Sequence, residues 1–336
     1  MDPQIEDTLR QIHGYHGKGT SADEDALFQV HTIAALAALA SAPRLMEPVI
    51  LWERILRPAV IEAEKRIGRP IHKGAPCYNT ALCCFLMHDF DGAFQYLMDA
   101  HDENQRLGGN PFGILIGKDP LSRKFLIEPL VGNMAPLWAS DYKASTGHDL
   151  TPDELIDLLD WLSNRPSDAF VILVAFHRVW WAADRRPENR ATRLVVFRAV
   201  ADLLVCLESS IRNFQGTTVT GQLHARMTNM LTADARVIGA FNSLKSFPGG
   251  QGETAAALNN AIAETTSRFA AATTESTRAG CACFASYKLR NSLLHLNEES
   301  LDVHTNLNLG VRMAGWVLAS IRIARRAQEG SLGVLT

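Results

Sequence analysis

The 336-residue sequence contains no long hydrophobic run. No stretch approaches the roughly 20 consecutive apolar residues that a membrane-spanning helix requires. The first residues, MDPQIEDTLRQ, have neither the basic segment nor the apolar core of a secretion signal. We therefore expect a cytoplasmic protein with no membrane contact.

The cysteines lack the paired C-x-x-C spacing of a zinc site. They form one adjacent pair, one C-x-C and two single positions, at Cys77, Cys83, Cys84, Cys206, Cys281 and Cys283. We interpret them as reduced thiols that fill a hydrophobic core. No metal ion and no cofactor is predicted for this chain.

Strand-like alternation and hairpin turns are almost absent. The one Asp-Gly pair, Asp91-Gly92, lies between two segments of helical periodicity. A composition of 47% hydrophobic and 21% charged residues is that of a globular protein rather than a disordered one. The sequence therefore predicts an all-α fold.

The first half contains several segments with apolar residues at intervals of three and four. These predict helices at 24–41, 45–67, 75–87, 90–106, 152–163 and 168–183. Thr151, Pro152 and Glu154 have the spacing of a capping box at the start of the fifth helix. This half is thus predicted to be an irregular α-helical domain.

Two of these segments, 75–87 and 90–106, have the pattern of a helical hairpin. The small residues Ala81, Ala93 and Ala100 recur at intervals that let two helices pack closely. The pair resembles a tetratricopeptide unit, of which at least three copies normally stack. A single hairpin in an irregular domain is an equally good interpretation.

Charge divides the chain near residue 184. Residues 1–184 contain 16 Lys+Arg and 25 Asp+Glu, whereas residues 185–336 contain 17 and 11. The polar stretch AADRRPENRATR coincides with this change, so we predict two domains, 1–184 and 185–336. A basic domain favours polyanions, although the same charges also suit an ordinary solvated surface. The acidic domain is predicted to recognise an unknown protein partner or trigger.

The second half predicts a helical bundle. Helical patterns occur at 191–213, 219–245, 252–274, 278–296 and 304–328. The last one places Leu309, Met313, Trp316, Val317 and Ser320 on one face. Up-down packing of these apolar stripes buries them most economically.

The stretch YKLRNSLLHLNEES, residues 287–300, contains Arg290, Asn291 and His295. The loose spacing Arg-x4-6-His carries little information, because it also occurs at Arg10 to His16 and at Arg66 to His72. The third copy differs from the others because it lies inside a predicted helix of the basic domain. On that helix Asn291 and His295 point away from a stripe formed by Leu289, Leu293 and Leu296. An exposed polar surface is the plainer interpretation of the same face.

Such a trio can cleave RNA without a metal ion. A histidine takes the proton from a ribose 2'-hydroxyl, and an arginine stabilises the negative charge that develops at phosphorus. An asparagine can orient either the imidazole or the phosphate.

The stretch LRNSLLH, in the fourth helix of a C-terminal bundle, resembles the HEPN superfamily (higher eukaryotes and prokaryotes nucleotide-binding). The resemblance covers roughly residues 190–328 and implies a metal-independent endoribonuclease with catalytic Arg290, Asn291 and His295. It implies a homodimer through the C-terminal bundle, RNA as substrate, products with 2',3'-cyclic phosphate and 5'-hydroxyl ends, and a toxin or antiviral defence context.

Family members often have an acid on an earlier helix near the site, for which Glu208 is the candidate here. An ordinary i, i+4 pair of Glu208 with Arg212 is the competing interpretation. The competing function is a non-catalytic HEPN-like module that binds RNA, nucleotide or protein. Elsewhere, the stretch HGYHGKG, residues 13–19, is predicted to be a flexible tail rather than a phosphate or metal loop.

Overall fold

The computed structural model describes residues 2–106, 118, 120–184, 188–215, 223–245, 254–293 and 306–332. Within these ranges the chain forms helices and no β-strand. The predicted all-α class is confirmed. The assignment of the bundle to the HEPN type stays a prediction.

The chain divides into two compact units, Met1–Ile127 and Glu128–Thr336. The boundary predicted at 184/185 falls inside the second unit, where Cys206 donates to the backbone oxygen of Asp168 over 3.4 Å. Arg178 and Asp202 form an ion pair across the same point of the chain. The charge shift at residue 184 therefore does not coincide with the edge of a compact unit.

The charge asymmetry nearly disappears when it is counted by compact unit. Residues 1–127 contain 13 Lys+Arg and 16 Asp+Glu, and residues 128–336 contain 20 of each. A formal balance of zero gives the second unit no general preference for polyanions. Any preference for RNA must come from a local cluster of charges.

The first unit is built from short and medium helices. They are α1 (Pro3–Gly14), α2 (Ser21–Ala26), α3 (Gln29–Ala40), a 3-10 turn (Ala42–Arg44), α4 (Met46–Ile50), a π-helical segment (Leu51–Leu56), α5 (Arg57–Ile67), α6 (Gly74–Leu86), α7 (Phe90–Gln105), α8 (Pro120–Ser122) and a second π-helical segment (Arg123–Ile127). The predicted hairpin is present as α6 and α7, with Ala81, Ala93 and Ala100 buried. Small side chains there let the two helices approach closely.

The second unit contains the longer helices. They are α9 (Glu128–Gly132), α10 (Pro136–Thr146), α11 (Pro152–Trp161), α12 (Pro166–Asp184), α13 (Arg190–Gln215), α14 (Leu223–Leu231), α15 (Ala235–Ser243), α16 (Ala255–Ala271), α17 (Glu275–Leu293) and α18 (Leu307–Gln328). The single helix predicted at 219–245 was wrong. Asp234 ends that stretch by capping α15, since its carboxylate accepts from the backbone nitrogens of Arg236 and Val237.

Helix α18 lies at the centre of the second unit. Trp316, Met313 and Val317 are buried as predicted, and so are residues on its other faces, such as Ile323. At Gly315 the backbone of Trp138 comes within 3.0 Å of the position that a Cβ would occupy. Helix α18 is therefore buried along most of its length.

The start of α11 follows the capping prediction in one half only. Thr151 Oγ1 accepts from the backbone nitrogen of Glu154 over 3.2 Å, which confirms the cap. The Glu154 carboxylate accepts from Tyr142 at 2.9 Å and pairs with Arg322 at 2.7 Å. It thereby ties α11 to α10 and α18 instead of closing the box.

Candidate functional site

Helix α17 contains the first two residues of the motif formed by Arg290, Asn291 and His295. The helix runs to Leu293, and the structure describes the whole side chain of Arg290. Leu289 is fully buried, as the apolar stripe predicts. His295, Leu296 and the side chains of Asn291 and Leu293 lie outside the described residues, so the predicted opposition of faces is confirmed only at Leu289.

Arg290 reaches across to α13. Its Nε and Nη2 atoms donate to Oε2 of Glu208 over 2.9 Å and 2.8 Å. The Arg290 side chain is 23% exposed and that of Glu208 is 19% exposed, so the pair lies at the margin of the core. The predicted supporting acid thus lies directly beside the arginine of the motif.

Glu208 also binds Arg212, one helical turn further along α13, through its other carboxylate oxygen. The i, i+4 pair with Arg212 is therefore present beside the contact with Arg290, and the supporting role of Glu208 stays a prediction. Partial burial by itself raises the pKa of Glu208, but the hydrogen bonds and charges of Arg290 and Arg212 outweigh burial and lower the pKa below its usual value. Glu208 is consequently a carboxylate at neutral pH and has no proton to donate.

A third arginine binds the same turn of α13 on another side. Arg165 Nη1 donates to Ser209 Oγ over 3.2 Å and to Ser210 Oγ over 3.3 Å. Arg165 also pairs with Asp168 at 3.0 Å. The sequence gives no sign of this contact, because Arg165 and Ser209 are 44 positions apart.

A histidine that the sequence reasoning did not single out lies against α17. The ring of His224, from α14, is 5.2 Å from the ring of Tyr287, which is one helical turn before Arg290. Burial, together with the nearby charges of Lys245 and Lys288, lowers the pKa of His224. His224 is therefore a neutral imidazole at physiological pH.

The second Arg-x-His copy, Arg66 to His72, does not bring its two residues together. Arg66 Nη2 donates to the backbone oxygen of Tyr15 over 2.9 Å, beyond the C-terminal end of α1. The His72 ring contacts Asp25 and Asn104 instead. In the first copy Arg10 forms only an exposed pair with Asp7 at 3.7 Å. Neither arginine shares a described contact with its histidine.

The stretch 13–19 is not a free tail, so that prediction was wrong. The Tyr15 hydroxyl donates to Glu24 Oε1 over 2.7 Å, and the backbone oxygen of Gly17 accepts from Arg69 Nε over 3.0 Å. Polar contacts of its own backbone and side chains hold the stretch against the first unit. Glycine content alone did not reveal those partners.

None of the helices in the described ranges has both the length and the apolar character needed to cross a membrane. No group of three or more His, Cys, Asp or Glu side chains among the described residues is placed to hold a metal ion.

No protein-family model, no curated protein and no solved structure shows significant similarity to this chain.

Proposed function

We propose that this protein is a metal-independent endoribonuclease whose site is built on Arg290, Asn291 and His295. One observation carries the proposal. Arg290 binds Glu208 through one hydrogen bond from Nε and an ion-pair contact from Nη2, so the arginine of the motif meets the acid predicted from the earlier helix. These residues are 82 positions apart, so their contact does not follow from closeness along the chain.

The reaction proceeds through the ribose 2'-hydroxyl. A base removes the hydroxyl proton, the 2'-oxygen forms a bond to phosphorus, and the bond from phosphorus to the 5'-oxygen breaks. The departing 5'-oxygen takes a proton from an acid. RNA is left with a 2',3'-cyclic phosphate on one product and a 5'-hydroxyl on the other, and His295 supplies the base or the acid.

Arg290 stabilises the extra negative charge on the phosphate oxygens in the transition state. Glu208 acts as a positioning residue in this proposal, because it is ionised and holds two N–H groups of Arg290 in one direction. Arg290 and Arg212 both bind the carboxylate of Glu208, so two guanidinium groups lie close together at this point. Guanidinium groups suit a phosphate, even though the whole unit has a formal charge balance of zero.

A non-catalytic module is the second candidate, and one observation favours it. The carboxylate of Glu208 already binds the Nε and Nη2 groups that a phosphate would use. An arginine held in this way also serves to join α13 to α17. In this alternative the helix pair presents a surface for a protein or nucleotide partner without cutting RNA.

The nuclease and the non-catalytic module predict different results in one experiment. Purified full-length protein is incubated with mixed RNA in EDTA, beside the His295→Ala variant and a His16→Ala control from the exposed first motif copy. We expect wild type and His16→Ala to cut, with 2',3'-cyclic phosphate ends, and His295→Ala to be at least 100-fold slower. Intact RNA with wild type at every salt concentration tried, or equal cutting by His295→Ala, would refute the nuclease and leave the binding module.

A further inference from the structure

Three consecutive backbone N–H groups between α5 and α6 each donate to a different glutamate. The bonds are Ile71 to Glu64 at 2.9 Å, His72 to Glu24 at 2.5 Å and Lys73 to Glu103 at 3.1 Å. The three glutamates belong to α5, α2 and α7. Segment 71–73 is therefore the point at which these three helices of the first unit are joined.

The imidazole of His72 lies inside this joint and is 5% exposed. Its Nδ1 atom is 2.9 Å from Oδ1 of Asp25, and its Nε2 atom is 3.0 Å from Oδ1 of Asn104. Both partners are acceptors, whereas a neutral imidazole has only one N–H group. Only the doubly protonated ring donates to both oxygens.

Gly74 allows the ring to take this position. A Cβ at Gly74 would stand 2.8 Å from His72 Nε2 and 2.8 Å from Asn104 Oδ1. The first residue of α6 therefore has no side chain where the ring and the amide meet. The contact between His72 and Asn104 is a close one and depends on this glycine.

We propose that His72 is a proton-operated latch, in which the imidazolium ties α2 to the last turn of α7 and loss of one proton releases that tie. After deprotonation, one ring nitrogen becomes an acceptor. Its partner must then turn away or, in the case of Asn104, rotate its amide group to present N–H. The same segment thus has two discrete arrangements, which is the requirement for a switch.

The charged groups that face His72 come from each element of the joint. They are Asp25 and Glu24 of α2, Glu103 of α7, Glu64 of α5, and Arg69 and Lys73 of the connecting segment. The hydrogen bond to Asp25 raises the pKa of His72 above its usual 6.5 and outweighs the lowering by burial. A raised pKa in the folded state stabilises the joint fully below pH 6.5, and the contribution is lost as pH rises through the folded value.

The stability of the joint at low pH depends on Glu24. Its burial raises the pKa, but hydrogen bonds from Tyr15, from the backbone of His72 and from Arg69 lower it overall. The stability that Glu24 provides is present above pH 4.5 and is lost as pH falls through its lowered value. The latch is therefore closed between these limits and opens as pH rises through the raised pKa of His72.

The direct test is an NMR titration of the histidine rings of the full-length protein between pH 5 and 9. His72 is assigned by its loss in His72→Gln. We expect both ring nitrogens of His72 to carry protons at pH 6 and the midpoint to lie above 6.5. A single protonated nitrogen at pH 6, or a midpoint at or below 6.5, would overturn the proposal.

A second test measures amide exchange at the backbone N–H of His72, which Glu24 protects. After correction for intrinsic exchange, wild type should lose protection roughly tenfold for each unit by which the pKa of His72 exceeds 6.5. Asn104→Leu removes one acceptor and should reduce that loss. Equal pH dependence in wild type and Asn104→Leu would remove Asn104 from the latch, and a flat profile in wild type would overturn the proposal as a whole.

Discussion

Two stretches of this chain have an arginine and a histidine at nearly the same spacing, and the fold uses them differently. In the first unit Arg66 donates to a backbone oxygen, while His72 is held between Asp25 and Asn104. In the second unit Arg290 binds a carboxylate on another helix. The comparison shows that spacing along the chain does not make a site, because partners distant in sequence decide where each side chain goes.

The electrostatics of the two arginines also differ. Arg66 has neutral carbonyl partners and serves as a cap for α1. Arg290 shares the carboxylate of Glu208 with Arg212, so two guanidinium groups lie close together. In the proposed nuclease these two groups are the cations that face the phosphodiester.

Removal of the Glu208 carboxylate, which Arg290 and Arg212 share, should have the largest effect of these changes, and the effect is on RNA cleavage. In Glu208→Ala the two arginines lose their common partner and Arg290 loses its fixed direction, so we expect the maximal rate of RNA cleavage to fall about 100-fold. Glu208→Gln, which keeps a hydrogen-bond acceptor, should cut RNA at a rate between those of wild type and Glu208→Ala. Cleavage by Glu208→Ala at the wild-type rate would show that Glu208 does not position Arg290.

Among the changes in the first unit, Gly74→Ala should lower the stability of the protein most. The added Cβ meets the His72 ring and the Asn104 amide at 2.8 Å, so we expect a loss of about 1–3 kcal/mol in the free energy of unfolding. Gly14→Ala is the matched control, because nothing lies within 4 Å of a Cβ there. Urea unfolding checks both variants, and equal stability of the two would contradict the close contact at Gly74.

Arg66→Ala should have a smaller effect. The C-terminal end of α1 loses hydrogen bonds to the backbone oxygens of Tyr15 and Ile12, which we expect to cost about 1 kcal/mol. Thermal unfolding measures the loss. A variant as stable as wild type would show that this cap contributes nothing.

The smallest effect concerns the pH dependence of the Arg290–Glu208 pair. Because the pKa of Glu208 is lowered in the folded protein, the pair stabilises it above pH 4.5, and the contribution is lost as pH falls through the lowered value. The free energy of unfolding of wild type should exceed that of Glu208→Gln by about 1 kcal/mol or less at pH 7, and the difference should shrink as pH falls below 4.5. Urea unfolding across this range checks the trend, and a difference that stays constant as pH falls below 4.5 would contradict it.

The sequence predicted the helices with strong apolar periodicity, and the apolar faces of α7 and α18 pack as expected. It did not predict α10, which begins at Pro136 and has little periodic signal, and it missed α1, although Ile5, Leu9 and Ile12 have helical spacing there. The sequence singled out Glu208 as a candidate acid but could not show its contact with Arg290. The two residues are 82 positions apart and meet only because α13 and α17 pack together. The domain boundary at residue 184 stays a prediction from the charge shift, and α12 and α13, which lie on either side of it, pack together.

The central claim is that Arg290 acts on phosphate while Arg66 only supports the fold. Arg290→Ala and Arg66→Ala are compared for cleavage of mixed RNA in EDTA at pH 7, with thermal unfolding of each variant as the measure of folding. We predict that Arg290→Ala cuts at least 100-fold more slowly than wild type and that Arg66→Ala cuts at the wild-type rate. Equal cleavage by the two variants, or no cleavage by wild type, would contradict the account.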